Sequence, residues 1–140
     1  MSEEKPPVTI DLEWRGELRF AGVSGEHRIL LDSAEKAGPS PIQALALALA
    51  GCMAMDVAHI LAKGRATMQS MTVHLVARRA DEPPRRFVDI EAHFSLRSSA
   101  SAEQVERALA LSREKYCSVW HSMRSDLPFR TSFELAPAAP

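Results

Sequence analysis

At 140 residues the chain suits one domain and can bury roughly two thirds of its unfolded surface. Charged residues make up 25% and aromatics only 6%, so the core must rest on Ala, Leu, Val, Ile and Met. With 17 basic and 18 acidic side chains the net charge is -1, which leaves no basic field for nucleic acid.

The start, MSEEKPPVTI, mixes acids and prolines and has no apolar h-region, so no signal peptide is expected. VTIDLEW, ELRFAG and EHRILLD read as three short strands, with Gly16 and Gly25 marking the turns of a meander. In AEKAGPSP, Ser40 and Pro41 suit the N-cap and first turn of a helix. That helix is predicted from about Pro41 to Lys63, with its stop near Gly64.

Within it, ALALALAGCMAM (residues 44–55) carries no charge and nothing more polar than a thiol. A surface helix of a small protein shows one apolar stripe, whereas this one is apolar on every side for three turns. Such an apolar run is expected to be too short for a bilayer, which needs about 18 or more such residues. One small domain offers too few partners for three apolar sides, and a second copy of the chain would supply them. The segment therefore predicts an obligate homodimer.

Period two returns in SMTVHLVARR, where Val73, Leu75 and Ala77 share a face. RRFVDIEAHFSLR alternates more cleanly, with Val88, Ile90, Ala92, Phe94 and Leu96 inward. DEPP joins the two as a hairpin turn. Ser101 with Gln104 forms a capping-box pattern opening a helix through Val105, Ala108, Leu109 and Ser112. EKYCSVWHSMR continues as helix with room for a break, and RTSFEL closes as a last strand. The order βββ, α, ββ, α, β predicts an α+β fold with largely antiparallel sheet, one domain over residues 1–140, with 1–7 and 136–140 unordered.

The two cysteines, Cys52 and Cys117, are either inert packing or redox chemistry, since a reducing cytoplasm, the default location, disfavours a structural disulfide. Cys52 is mid-helix, where the dipole helps little, so a lowered pKa needs a cation from elsewhere. Arg15 and Arg19 are the candidates. Cys117 with His121 and Cys52 with His59 each share a helix face and together could hold zinc. Neither half has a known finger spacing, so no metal is expected. His27, His74 and His93 read as surface positions, and no phosphate loop, GxSxG elbow or HExxH is present.

SPIQALALALAGCMAMDVAHILAKGR, followed after two strands by LSREKYCSV, resembles the OsmC/Ohr family of thiol peroxidases. The likeness is greatest to its YhfA-type branch, in which the Ser-Pro start, Gly-Cys with Asp four residues on, Lys-Gly-Arg helix end and Lys-Tyr-Cys-Ser-Val segment recur. The resemblance covers roughly residues 12–135. It implies an intertwined α+β homodimer with antiparallel sheets wrapped around two long central helices. It also implies that Cys52 is the peroxidatic cysteine, that Cys117 resolves it, and that Arg15 activates it. Gln43, Leu47, Met55 and Tyr116 are then expected to line the substrate pocket. The substrate would be a small organic hydroperoxide, the reductant a dithiol such as dihydrolipoamide, and no cofactor would be needed. Ile42 and Gln43 stand where branches of the family carry a glutamate, so Cys52 is expected to titrate nearer a free thiol. The alternative is a non-enzymatic OsmC-like dimer that binds a small apolar or thiol-reactive ligand between subunits.

Overall fold

The computed structural model describes residues 4–140. Of the N-terminal residues expected to lack order, 1–3 lie outside the described residues, and 4–7 carry no regular secondary structure. The chain divides into two compact units, up to Leu45 and from Ala46 onward, with the boundary inside the long helix.

The first unit is the antiparallel meander β1 (Asp11–Trp14), β2 (Arg19–Ser24) and β3 (His27–Asp32), in that order. Its turns fall where the glycines predicted them. Gly16 has φ +102 and Gly25 φ +59, a region that glycine enters without a Cβ penalty. After β3 the buried Asp32 carboxylate gathers the loop, accepting from the backbone N–H groups of Ala34, Lys36 and Ala37 at 3.0, 3.3 and 2.9 Å. At Gly38 a Cβ would overlap the Leu30 carbonyl oxygen. We expect Gly38→Ala to cost ~1–3 kcal/mol through this forced backbone shift, read as a lower thermal midpoint.

The N–H donors of Ala37, Ala34 and Lys36 favour ionised Asp32 and, against the desolvation that opposes them, hold its carboxyl below the ordinary 3.8. A depressed folded pKa means that the carboxylate stabilises the fold at pH values above 3.8. That contribution is lost as pH falls through the folded value. Asp32→Asn should therefore lower the urea midpoint at neutral pH and flatten its decline below about pH 4.

The helix α1 runs Pro41–Lys63, as predicted. Its start is a capping box: Ser40 Oγ accepts from Gln43 N at 3.4 Å, and Ser40 N donates to Gln43 Oε1 at 3.1 Å. At the other end the left-handed residue is Arg65 (φ +63), one past the glycine expected to stop the helix. Gly64 matters for another reason, since a Cβ there would stand 3.0 Å from the Gln104 side-chain nitrogen. Leu49, Met53, Val57 and Leu61, spaced by four, form one buried stripe. The expectation that the helix is too short for a bilayer needs correction. It has 23 residues, and its most apolar 18-residue window has a mean hydropathy of 1.9, so length and composition alone would permit a crossing.

The second unit carries a three-stranded sheet, β4 (Met68–Arg79), β5 (Phe87–Ser98) and β6 (Phe129–Pro137), in that order. β4 and β5 pair antiparallel, but β6 lies parallel to β5, so this sheet is mixed rather than largely antiparallel. The connection from β5 to β6 is long enough for the crossover that parallel pairing needs, and α2 (Ala102–Leu111) rides on it. Ser101 and Gln104 form the predicted capping box.

Ile90, Ala92, Phe94 and Leu96 face inward as expected, whereas Val88 is only half-buried and Phe87 takes the inner position. A bulge explains this. Arg78 pairs with Asp89 and Arg79 with Phe87, leaving Val88 as the extra residue. The tail expected to be unordered from 136 is ordered for longer: β6 reaches Pro137, and Gln69 clasps the Ala139 backbone through both polar atoms of its amide, at 2.9 and 3.0 Å. Gln69 is free to do so because it is itself a bulge residue.

Candidate active site

Two segments of the second unit meet at the site. One is the middle of α1. The other follows α2, where the backbone widens into a π-turn (Ser112–Tyr116) before the short helix α3 (Ser118–His121). The break allowed for after Ser112 is this turn. It brings Ser112 Oγ to donate to Asp56 Oδ2 at 2.7 Å. It also seats Cys117 at the head of α3, where its sulfur accepts from Trp120 N at 3.3 Å.

Cys52 Sγ, Cys117 Sγ and a carboxylate oxygen of Asp56 all lie within 4.8 Å of one another. A disulfide bond is about 2.05 Å long, so the sulfurs need to close by no more than about 3 Å to form one. Both thiols are free.

Their surroundings push them apart. Burial raises the Cys52 thiol, but hydrogen bonding from Val119 N–H, Cys117 and Ser118 outweighs burial and the Asp56 charge, so its pKa lies below the ordinary 9.0. Ser118 Oγ is 3.9 Å from the Cys52 sulfur. Cys117 is fully buried, and burial, with the charges of Cys52 and Asp56, drives it up to about 11. Cys52 is thus the more readily ionised of the two thiols. Cys52 was expected to titrate nearer a free thiol. Its pKa lies below the ordinary 9.0, and the groups that lower it stand near the head of α3, a source that motif spacing does not reveal.

Among the other expected site residues, Tyr116 lines a cavity of about 370 Å³ with Asp56, His59, Ile60, Lys63 and Leu111. Leu47 and Met55 lie on the open face of α1, 66% and 74% exposed. Gln43 is engaged in the cap of α1 and Arg15 in a 3.3 Å pair with Glu13, both within the first unit. The Arg15–Glu13 pair is exposed, so it is worth at most about 1 kcal/mol. Arg19 Nε lies 3.5 Å from Asp32 Oδ2.

The zinc alternative through the histidines does not assemble. His121 Nε2 sits 3.0 Å from the Arg113 carbonyl oxygen, and the group of possible ligands found among the described residues is Cys52, Asp56 and Cys117. Asp56 and Ser112 were missed as site residues. The signal for Asp56 was present, since Cys52 and Asp56 are four apart and share a helix face.

The structure is thus a mixed α+β protein whose long helix carries a thiol with a lowered pKa and a second thiol within 4.8 Å. The comparisons place it further. Residues 33–132 match the family model described as OsmC-like protein. The chain is 38% identical over 131 residues to Protein YhfA of Escherichia coli K12, covering 91% of this chain and 97% of the relative. A hypothetical protein from Aquifex aeolicus superposes with a TM-score of 0.89 at 24% identity, covering 96% of this chain and 100% of that one. An organic hydroperoxide resistance protein, OsmC, from Legionella pneumophila superposes at 0.69 with 13% identity, covering 94% and 99%. This chain belongs to the OsmC-like family.

Proposed function

We propose that the protein reduces small organic hydroperoxides through its two thiols. The Cys52 thiolate attacks the peroxide oxygen, the O–O bond breaks, an alcohol leaves, and Cys52 becomes a sulfenic acid. Cys117 then attacks the Cys52 sulfur, forming the disulfide and releasing water. A dithiol such as dihydrolipoamide returns both thiols, and a reducing cytoplasm is the compartment that suits such a cycle. The observation that carries this reading is the placement of the Cys52 and Cys117 sulfurs within 4.8 Å of each other, in surroundings that lower the first thiol's pKa and raise the second's to about 11. The naming of the Legionella relative as a hydroperoxide resistance protein agrees with it.

The working unit in this proposal is an intertwined homodimer with two copies of α1 at its centre. Among the described residues up to Leu45, only Asp32 and Ser40 are buried, so the meander buries no apolar side chain of its own. Leu12, Trp14, Leu18 and Ile29 are each more than half exposed. A three-stranded sheet in that condition needs a cover, and so does the open face of α1. In the dimer, Leu47, Met55 and Tyr116 line the peroxide pocket, and Arg15 is the cation proposed to assist Cys52.

Purified reduced protein should turn over cumene hydroperoxide with dihydrolipoamide as the electron source. No turnover with either that peroxide or t-butyl hydroperoxide would favour the dimer as a binding protein for an apolar ligand.

A further inference from the structure

The resolution step needs more than two sulfurs. Cys117 is fully buried and protonated, and a thiol is a poor nucleophile until its proton has left. Its hydrogen bonds do not remove that proton: Trp120 N–H donates to the sulfur, and the Cys52 sulfur that takes the Cys117 S–H bond in the reduced state is no longer a thiolate after oxidation. The base within reach is Asp56, whose carboxylate lies within 4.8 Å of both sulfurs and whose Oδ2 is held by the Ser112 hydroxyl at 2.7 Å. That hydroxyl comes from the π-turn, which also sets the position of Cys117, because Cys117 N donates to the Ser112 carbonyl at 2.7 Å. One turn of backbone therefore fixes the base and the thiol relative to each other. The cavity lined by His59, Lys63 and Tyr116 opens beside the same carboxylate, giving it contact with small solutes.

A carboxylate in that place is a hindrance to the first half of the cycle. Its negative charge opposes ionisation of Cys52, the thiol that must be anionic. A residue that works against the first step and stands beside the proton of the second has its use in the second.

We propose that Asp56 accepts the Cys117 proton as Cys117 attacks the Cys52 sulfur, and delivers it to the departing group. The inference rests on the thiol-pair reading above. In that cycle the new S–S bond forms as the S–O bond of the sulfenic acid breaks. The proton passes from Cys117 through the Asp56 carboxylate to the leaving hydroxide, which departs as water. Asp56 ends the step as it began, ionised and bonded to Ser112.

The test uses no peroxide, so its failure and the failure of the peroxidase reading are separate. Reduced protein is mixed with 4,4′-dithiodipyridine in stopped flow. Attack by the Cys52 thiolate releases one thiopyridone and leaves a mixed disulfide on Cys52. Attack by Cys117 on the Cys52 sulfur then forms the protein disulfide and releases a second thiopyridone, which carries away the Cys117 proton. In Asp56→Asn, which still offers Ser112 an acceptor, the second phase should slow about 100-fold, the low end of what a positioned base supplies. The first phase should quicken about threefold, because a like charge beside Cys52 has gone. Asp56→Ala should show the same slow second phase, restored in proportion to added formate reaching the carboxylate's place. A second phase at the wild-type rate in Asp56→Asn would overturn the proposal, as would an equal slowing of both phases, or a slow phase in Asp56→Ala that formate leaves unchanged.

Discussion

Cys52→Ser should reduce dithiol-dependent peroxide consumption to the rate seen without protein. A serine hydroxyl at neutral pH supplies almost no anion, and the donors around position 52 cannot make up the difference between an alcohol and a thiol. The loss should be at least about a thousandfold, the scale on which removal of a nucleophile is felt. The partner variant should fail differently. In Cys117→Ser the first oxidation still occurs, so one equivalent of peroxide is consumed. The Cys52 sulfenic acid then has no thiol to condense with and passes to sulfinic acid under excess peroxide. Trapping with a sulfenic-acid reagent, followed by mass analysis of the peptide carrying Cys52, distinguishes the two variants. Equal loss in both, with no trapped sulfenic acid in Cys117→Ser, would mean that Cys117 holds the site together rather than resolving it.

The second large effect concerns α1. Two leucines two residues apart should respond in different ways because the helix places them on different sides. Leu49 belongs to the buried stripe of its own chain, at 1% exposure, and Leu47 is 66% exposed. Leu49→Asp buries a charge without a partner inside the protomer and should cost several kcal/mol, enough to remove soluble protein. Leu47→Asp leaves that core intact and places its charge on the face proposed to meet the second copy. It should yield a folded helix-containing chain that no longer dimerises and tends to aggregate through its exposed apolar surface. Sedimentation of the wild type should show dimer down to nanomolar concentration. If Leu47→Asp sediments as the wild type does, the open face of α1 is not the interface.

How far the sequence spoke depended on the range of the interaction. Elements written by local chemistry were legible: α1 from Pro41 to Lys63 by composition and cap, α2 from the Ser101–Gln104 capping box, and β5 from its alternation. Details that depend on pairing were not. Nothing in RRFVDIEAHF marks Val88 as a bulge residue, because the extra residue exists only relative to its partner strand. The parallel course of β6 has the same origin, since the direction of a strand is set by its crossover. The cysteine pair was legible from the motif, yet the reason for its contrast was not. Cys52 is held down by Val119 and Ser118, more than sixty residues away in the chain, brought there by a π-turn. The role of Gln43 in the cap of α1 was legible, since its S-x-x-Q spacing with Ser40 is that of a capping box.

The central claim is that Cys52 and Cys117 form one redox unit. It is tested most directly by intact mass and thiol count on reduced protein before and after one equivalent of cumene hydroperoxide. The account predicts the loss of both thiols, a mass lower by two hydrogens, and a single peptide pair linked through Cys52 and Cys117 within one chain. Two thiols still titrating, or a disulfide that joins two chains instead, would contradict it.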